Sequence, residues 1–143
     1  MARKALILAF AMALAASGCG GGASESDHAR KAAETYVRDL GTRDGQAVCA
    51  DMTKPLQKTF TDAVARRNPQ VRGKSCAEIM TLVLRSVPAD QLKQTSTAKI
   101  ESVKVDGDTG SVVYRLRDRP VNGKVAKEGD AWKVSCCVPG QSD

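Results

Sequence analysis

Read for hydrophobic spacing, the body of the chain changes period once. Ala29, Ala32, Ala33, Tyr36, Val37 and Leu40 fall at i, i+3, i+4, i+7, i+8 and i+11, the apolar stripe of an amphipathic helix. Ser26 or Asp27 is placed to cap its start and Gly41 to end it. Asp44 caps a short second helix carrying Val48, Cys49 and Met52. Thr53 with Pro55 opens a third, with Leu56, Phe60 and Val64 on one face, and Arg66-Arg67-Asn68-Pro69 breaks it. Ser75 and Glu78 form a capping box for a fourth, whose stripe is Cys76, Ile79, Met80, Val83, Leu84 and Val87 before Pro88 stops it. After Gln94 alternation replaces the helical period. Ala98 and Ile100, then Val103 and Val105, predict a strand with a bulge at Glu101-Ser102. Val112, Tyr114 and Leu116 predict a second, Val121 to Lys127 a weaker third, and Trp132, Val134, Cys136 and Val138 a fourth, with turns at 106–108, 118–120 and 128–130. Helices followed by hairpin-linked strands predict an α+β fold, N-terminal helices packed on an antiparallel sheet of about four strands.

The N-terminus follows a different logic. Arg3-Lys4 precedes twelve uncharged residues, Ala5 to Ala16, too short for a span that needs roughly 20. This is the pattern of a secretory signal. The Ala16-Ser17-Gly18-Cys19 that follows resembles a bacterial lipobox, with Ala16 where such motifs most often carry Leu. On that reading 1–18 is a lipoprotein signal peptide, Cys19 carries the lipid and 19–27 is a flexible tether reaching about 27 Å when extended. The competing reading is an ordinary secretory signal cut at a nearby Ala-x-Ala site, which leaves Cys19 an exposed thiol with no purpose. A single domain then spans 28–138, and 139–143 is a disordered tail. Removing the leader takes Arg3 and Lys4 with it, so the formal charge falls from +6 to +4. Location is thereby expected to be extracytoplasmic, anchored to the cell membrane.

Export makes disulfides available, and four cysteines remain once Cys19 is lipidated. Cys49 and Cys76 each sit near the start of a helical segment and are the favoured pair. Cys136 and Cys137 are neighbours on a strand, where successive side chains point to opposite faces, and form a candidate second pair or stay as thiols. Cross-pairing of Cys49 or Cys76 with Cys136 stays open. The Cys-Cys pair has no C-x-x-C motif or matching histidine beside it, so a structural role is preferred to a redox or metal one.

Several stretches together resemble nuclear transport factor 2-like domains, most closely the small lipoprotein members of high-GC bacteria. They are Tyr36-Val37-Arg38-Asp39-Leu40, Asp44-Gly45, Val48-Cys49, the run from Val103 through Gly107-Asp108 to Val112, and Gly129-Asp130-x-Trp132-Lys133-Val134. The resemblance implies a curved antiparallel sheet wrapped around helices into a cone with an apolar pocket, here with Tyr36, Phe60, Tyr114 and Trp132 as candidate lining. Enzymes of that family, isomerases and cyclases among them, place an Asp base or an Asp–His pair and a Tyr donor inside the cone. This chain departs from that. Its one histidine, His28, falls at the tether end of the first helix, and the acids of the strand half fall in turns or on outer faces. No catalytic, cofactor or metal residue is therefore assigned, and no Ser-His-Asp or Cys-His triad can be built. Arg115, Arg117 and Arg119 read as a solvated strand face, and nothing in the chain resembles a nucleic-acid motif. The expected function is a non-enzymatic, membrane-anchored module that binds a small apolar ligand or an envelope protein; the alternative is an isomerase- or cyclase-like enzyme using an inward Tyr with an unidentified carboxylate. The resemblance also suggests a homodimer through the sheet face.

Overall fold

A computed structural model describes residues 23–136 of the chain. Cys19 and Cys137 lie outside these residues, as do the stretches expected as leader and tail and most of the expected tether. The chain is α+β: five α-helices and a short 3-10 turn (Pro69–Val71) precede a four-stranded sheet. The first helix, α1, runs Glu25–Thr42. Its cap is Ser24, whose hydroxyl accepts from the Asp27 amide at 3.2 Å while the Asp27 carboxylate accepts from the Ser24 amide at 2.9 Å. Asp27, expected as a cap itself, is thus the reciprocal half of a capping box, and residues 25–27, expected as the end of a tether, belong to α1. Gly41 does not end the helix. Arg43 takes the left-handed turn at φ 61°, while a Cβ on Gly41 would stand 2.6 Å from the Ser96 Cβ, so glycine there lets another helix approach.

The remaining helices follow their caps. Asp44 accepts from the Gln46 and Ala47 amides at 3.0 and 3.1 Å to start α2, Gly45–Ala50. Thr53 caps α3, Lys54–Arg67, with Pro55 in the first turn, and the Ser75–Glu78 box opens α4, Cys76–Ser86. Gly45 lies so close to α4 that an added Cβ would meet the Ala77 carbonyl and the Thr81 amide at 2.5 Å. A final helix, α5, Ala89–Ser96, was absent from the expected elements; it buries only Leu92, too little to print a stripe on the sequence.

The strands β1 (Lys99–Asp106), β2 (Thr109–Leu116), β3 (Arg119–Glu128) and β4 (Ala131–Cys136) pair in chain order, all antiparallel. The β1–β2 register shifts between Ile100 and Ser102, where the change of phase predicted a bulge. β3 is the longest strand although its hydrophobic pattern is the weakest, because pairing on both edges supplies what alternation does not. A second shift between Lys124 and Val125 sets Cys136 opposite Lys124, two residues past the Val134–Val125 pair. The clean alternation expected to carry Cys136 inward with Val134 is therefore interrupted at Ser135.

The core lies between α1 and the sheet. Ala29, Ala33, Tyr36, Val37 and Leu40 of α1 meet Val112, Tyr114, Val125 and Val134, and Met80, Leu84 and Leu92 close the cluster from α4 and α5. Arg30 fastens α1 to β1 by donating to the Ile100 carbonyl at 2.9 Å. The expected Cys49–Cys76 disulfide joins α2 to α4, with Cα atoms 6.1 Å apart and a sequence separation of 27. Closing a loop of that length restricts the unfolded chain by about 3–4 kcal/mol. A Cys49→Ala/Cys76→Ala double variant is expected to lose that amount in denaturant unfolding, with the slope of the transition rising as the unfolded chain expands.

Candidate functional site

One face of α1 continues past the core. His28, Ala32 and Thr35, spaced i, i+4 and i+7, share a cleft with Glu25 and Lys31, with Asp51 from the end of α2, and with Asp130, Ala131 and Trp132 where β4 begins; its volume is about 380 Å³. The backbone explains how Asp51 arrives there. Past the end of α2 the chain turns extended, and Met52 forms a parallel bridge with Val134. The Asp51 carbonyl accepts from the Val134 amide, and the Thr53 amide donates to the Val134 carbonyl, both at 2.9 Å. The Gln57 side chain donates to the carbonyls of Cys49 and Met52 at 2.6 and 3.1 Å, satisfying groups that the end of α2 leaves open.

The opposite wall is held by Glu25 in the first turn of α1. Its Oε2 accepts from the Trp132 indole N–H at 2.6 Å and its Oε1 pairs with Lys127 at 2.9 Å. Lys127 also sits over the indole ring, 5.7 Å from its centroid. These contacts hold the Glu25 carboxyl below its ordinary range, the Lys127 and Trp132 hydrogen bonds being the main causes.

Asp51 is in the reverse situation. Burial, then the negative charge and hydrogen-bonding reach of Asp39, push its carboxyl up to about 6, against partial relief from Arg38 and Lys133. Both cations are engaged elsewhere, Arg38 with Asp39 at 2.9 Å and Lys133 with Glu128 at 3.3 Å. The Asp51 Oδ2 is closed to solvent and has no hydrogen-bond partner among the described residues.

The sequence-predicted residues are distributed unevenly. Tyr36 and Tyr114 are 2% and 0% exposed and belong to the core; burial drives both hydroxyls up, Tyr114 to about 12, and the Tyr114 hydroxyl has no partner among the described residues. Phe60 packs against the core from α3, and Trp132, 8% exposed, is the one of the four that lines the cleft. His28, expected far from any pocket, is a wall of this one, because α1 starts earlier than predicted and its first turns overhang β4. Cys136 is itself disulfide-bonded. Asp51 went unnoticed because a polar residue ending a helix ordinarily faces water; its neighbour Met52, i+4 from Val48, was the available signal that the segment turns inward.

A depression of about 440 Å³ between α2 and α4 is lined by Asp44, Glu78 and the 47% exposed Leu82, but both carboxylates there are spent on helix caps. Among the described residues no group of three or more His, Cys, Asp or Glu is placed to hold a metal ion, and no helix is long and apolar enough to cross a membrane. Scans of protein-family models, curated proteins and solved structures each returned no match to the chain.

Asp51 sets a pH dependence whose sign is fixed. Its carboxyl holds a proton more tightly folded than unfolded, so the folded state binds more protons between about pH 4 and 6, and stability falls as pH rises through that window. The group is only half-buried, and solvent screening reduces the effect to about 1 kcal/mol. Asp51→Asn is expected to flatten this slope and to unfold at higher denaturant than the parent chain above pH 6, with the two converging near pH 4; chemical unfolding at each pH measures it.

Proposed function

We propose that the chain is a lipid-anchored, extracytoplasmic binding module, held to the membrane through Cys19 and built on a nuclear transport factor 2-like cone, and that it works by recognition rather than catalysis. The single observation that carries the non-catalytic part is the filling of the space between helices and sheet. Tyr36, Val112, Tyr114, Val125 and Val134 occupy it at 0–2% exposure, which leaves an internal apolar ligand no room and favours a partner met at the outer surface, an envelope protein before a small apolar molecule. The anchor rests on the basic start, the short apolar run and the Ser17-Gly18-Cys19 motif. A helix that begins at Glu25 leaves only a few residues between that cysteine and the folded body, so the domain is expected to work close to the membrane surface.

The second reading, an isomerase- or cyclase-like enzyme, draws on the closeness of Asp51 to Tyr36, since the Asp51 charge adds to burial in raising the Tyr36 hydroxyl. Its weakness is access. An oxyanion donor must touch substrate, and the Tyr36 ring is sealed in the core with no hydrogen bond to any carboxylate among the described residues.

Mass measurement of the N-terminal peptide of the full chain from a bacterial membrane is expected to show a diacylglyceryl group on Cys19, and Cys19→Ser to release the protein from the detergent phase. An unmodified peptide sinks the anchor. Tyr36→Phe and Tyr114→Phe are expected to keep partner binding intact, whereas loss of function in either one while the fold is retained would favour the enzyme.

A further inference from the structure

We propose that α3 and the loop after it form a contact surface for an anionic lipid bilayer, and that this surface decides which side of the domain faces the membrane. The inference rests on the reading of the chain as membrane-anchored and adds an orientation to it. Charge distribution is the first argument. Between Lys54 and Lys74 stand six cations and one acid, Asp62, a net of +5. The other fourteen cations and fourteen acids of the described residues cancel. The excess of positive charge is therefore not spread over the domain; it lies on one helix and one loop.

The fold makes little use of that excess. Lys58 pairs with Asp62 at 2.6 Å, and Lys74 has Glu78 nearby. Arg66, Arg67 and Arg72 are exposed and make no ion pair among the described residues. Arg66 and Arg67 suit the last turn of α3, where the open carbonyls favour a cation, but Arg72 lies past it, where the helix offers none of that. The loop is nonetheless firmly built. The Asn68 side chain accepts from the Gln70 amide and the Pro69 carbonyl from the Arg72 amide, both at 3.2 Å, and Val71 is 5% exposed. The arginines are thus presented on either side of a buried valine.

The spacing of the cations decides the occupant. They run along α3, about 20 Å long, and onto the loop beyond it, which suits a plane of phosphates better than one small anion. Position favours a bilayer over a soluble polyanion. The Lys54 amide donates to the Glu128 carboxylate at 2.8 Å, and the adjacent Lys127 pairs with Glu25 at 2.9 Å, so α3 and α1 begin at the same corner of the sheet. From Glu25 back to Cys19 is six residues, about 20 Å when extended. A lipid on Cys19 and the cations of α3 can therefore reach one plane. The anchor alone leaves the domain free to swing; a second, electrostatic attachment fixes its face.

The full lipidated chain is placed in phospholipid nanodiscs carrying a gadolinium-chelated headgroup, and line broadening is read at each backbone amide. With phosphatidylglycerol in the disc, the amides of 66–74 are expected to broaden most, and the effect to fade in phosphatidylcholine discs and in high salt. Arg67→Glu/Arg72→Glu is expected to reduce the broadening about tenfold, and the milder Arg67→Gln/Arg72→Gln, which guards against a folding defect in the first variant, by a smaller factor. Lys99→Glu/Arg119→Glu, at exposed cations that open β1 and β3, changes the net charge as much as the first variant and is expected to leave 66–74 as in the parent chain. Broadening that is equal without phosphatidylglycerol, strongest on another face, undiminished in both loop variants or equally reduced in the sheet variant overturns the assignment. So does a loop that responds to soluble polyphosphate and not to phosphatidylglycerol. Failure of the anchored reading is told apart by the mass of the Cys19 peptide, which does not depend on how the domain lies.

Discussion

Three residues of backbone join the two halves of this fold. Helices that only lie against a sheet are located by side-chain packing, which tolerates sliding and rotation. Here the chain leaving α2 is hydrogen-bonded to β4 on both sides of Val134, through the Asp51 carbonyl and the Thr53 amide, with Met52 and Val134 3% and 0% exposed at the centre. This parallel pairing fixes the register of the helical layer on the sheet. It is supported from behind by the Cys49–Cys76 bond and by the absence of a side chain at Gly45, which together hold α2 flush against α4. The Gln57 amide closes the remaining carbonyls. The Asp51 side of the cleft follows from this junction, while the Trp132 side is held separately by Glu25 and Lys127.

Much of the fold was legible because local chemistry and packing agree. The Ser75–Glu78 box, the Asp44 and Thr53 caps and the bulge after Ile100 are written in side chains that act within a few residues of themselves. The Cys49–Cys76 pairing was legible for a related reason: two cysteines at helix starts, in a chain read as exported, have few competitors. What escaped was set by partners distant in sequence. α5 shows one buried leucine, and Gly41 reads as a helix stop until Ser96 is seen against it. β3 owes its length to its neighbours, and the shift at Lys124 is a property of the strand pair rather than of either strand. The cleft escaped altogether, since Glu25, Asp51 and Trp132 meet only through the Met52 bridge and the overhang of α1. Of the four aromatic residues taken as candidate lining, Trp132 alone reaches it, because Tyr36 and Tyr114 serve the core that the same periodicity describes.

The core has a cost that its composition explains. With only a handful of aromatic side chains to fill the volume, Tyr36 and Tyr114 are used as apolar bulk, and the Tyr114 hydroxyl goes without a partner among the described residues. An orphaned hydroxyl of this kind costs about 1–3 kcal/mol. The Asp39–Asp51 contact adds a second tension, two carboxyl groups held near one another beside buried surface. Marginal domains survive such terms when covalent and backbone constraints leave no low-energy way to relieve them. The disulfide and the Val134 bridge are constraints of that kind.

These tensions bear on how the molecule can recognise anything. A sheet wrapped on helices with an open interior selects ligands by apolar volume, and one whose interior is filled must select at its surface. Surface selection by area alone needs a broad patch, and among the described residues Leu82 is the one large apolar side chain left exposed. Selection by charge needs only a few groups, provided they are held rigidly and kept from pairing with one another. The junction of α2 and β4 meets the first of these conditions. It places Asp51 at the base of a cleft, keeps its nearest cations occupied, and holds it there by backbone bonds that do not depend on its own charge. A carboxylate so placed, crowded by Asp39 and shut from water at Oδ2, holds its proton more tightly than a free one, and the junction keeps that tension in the folded state.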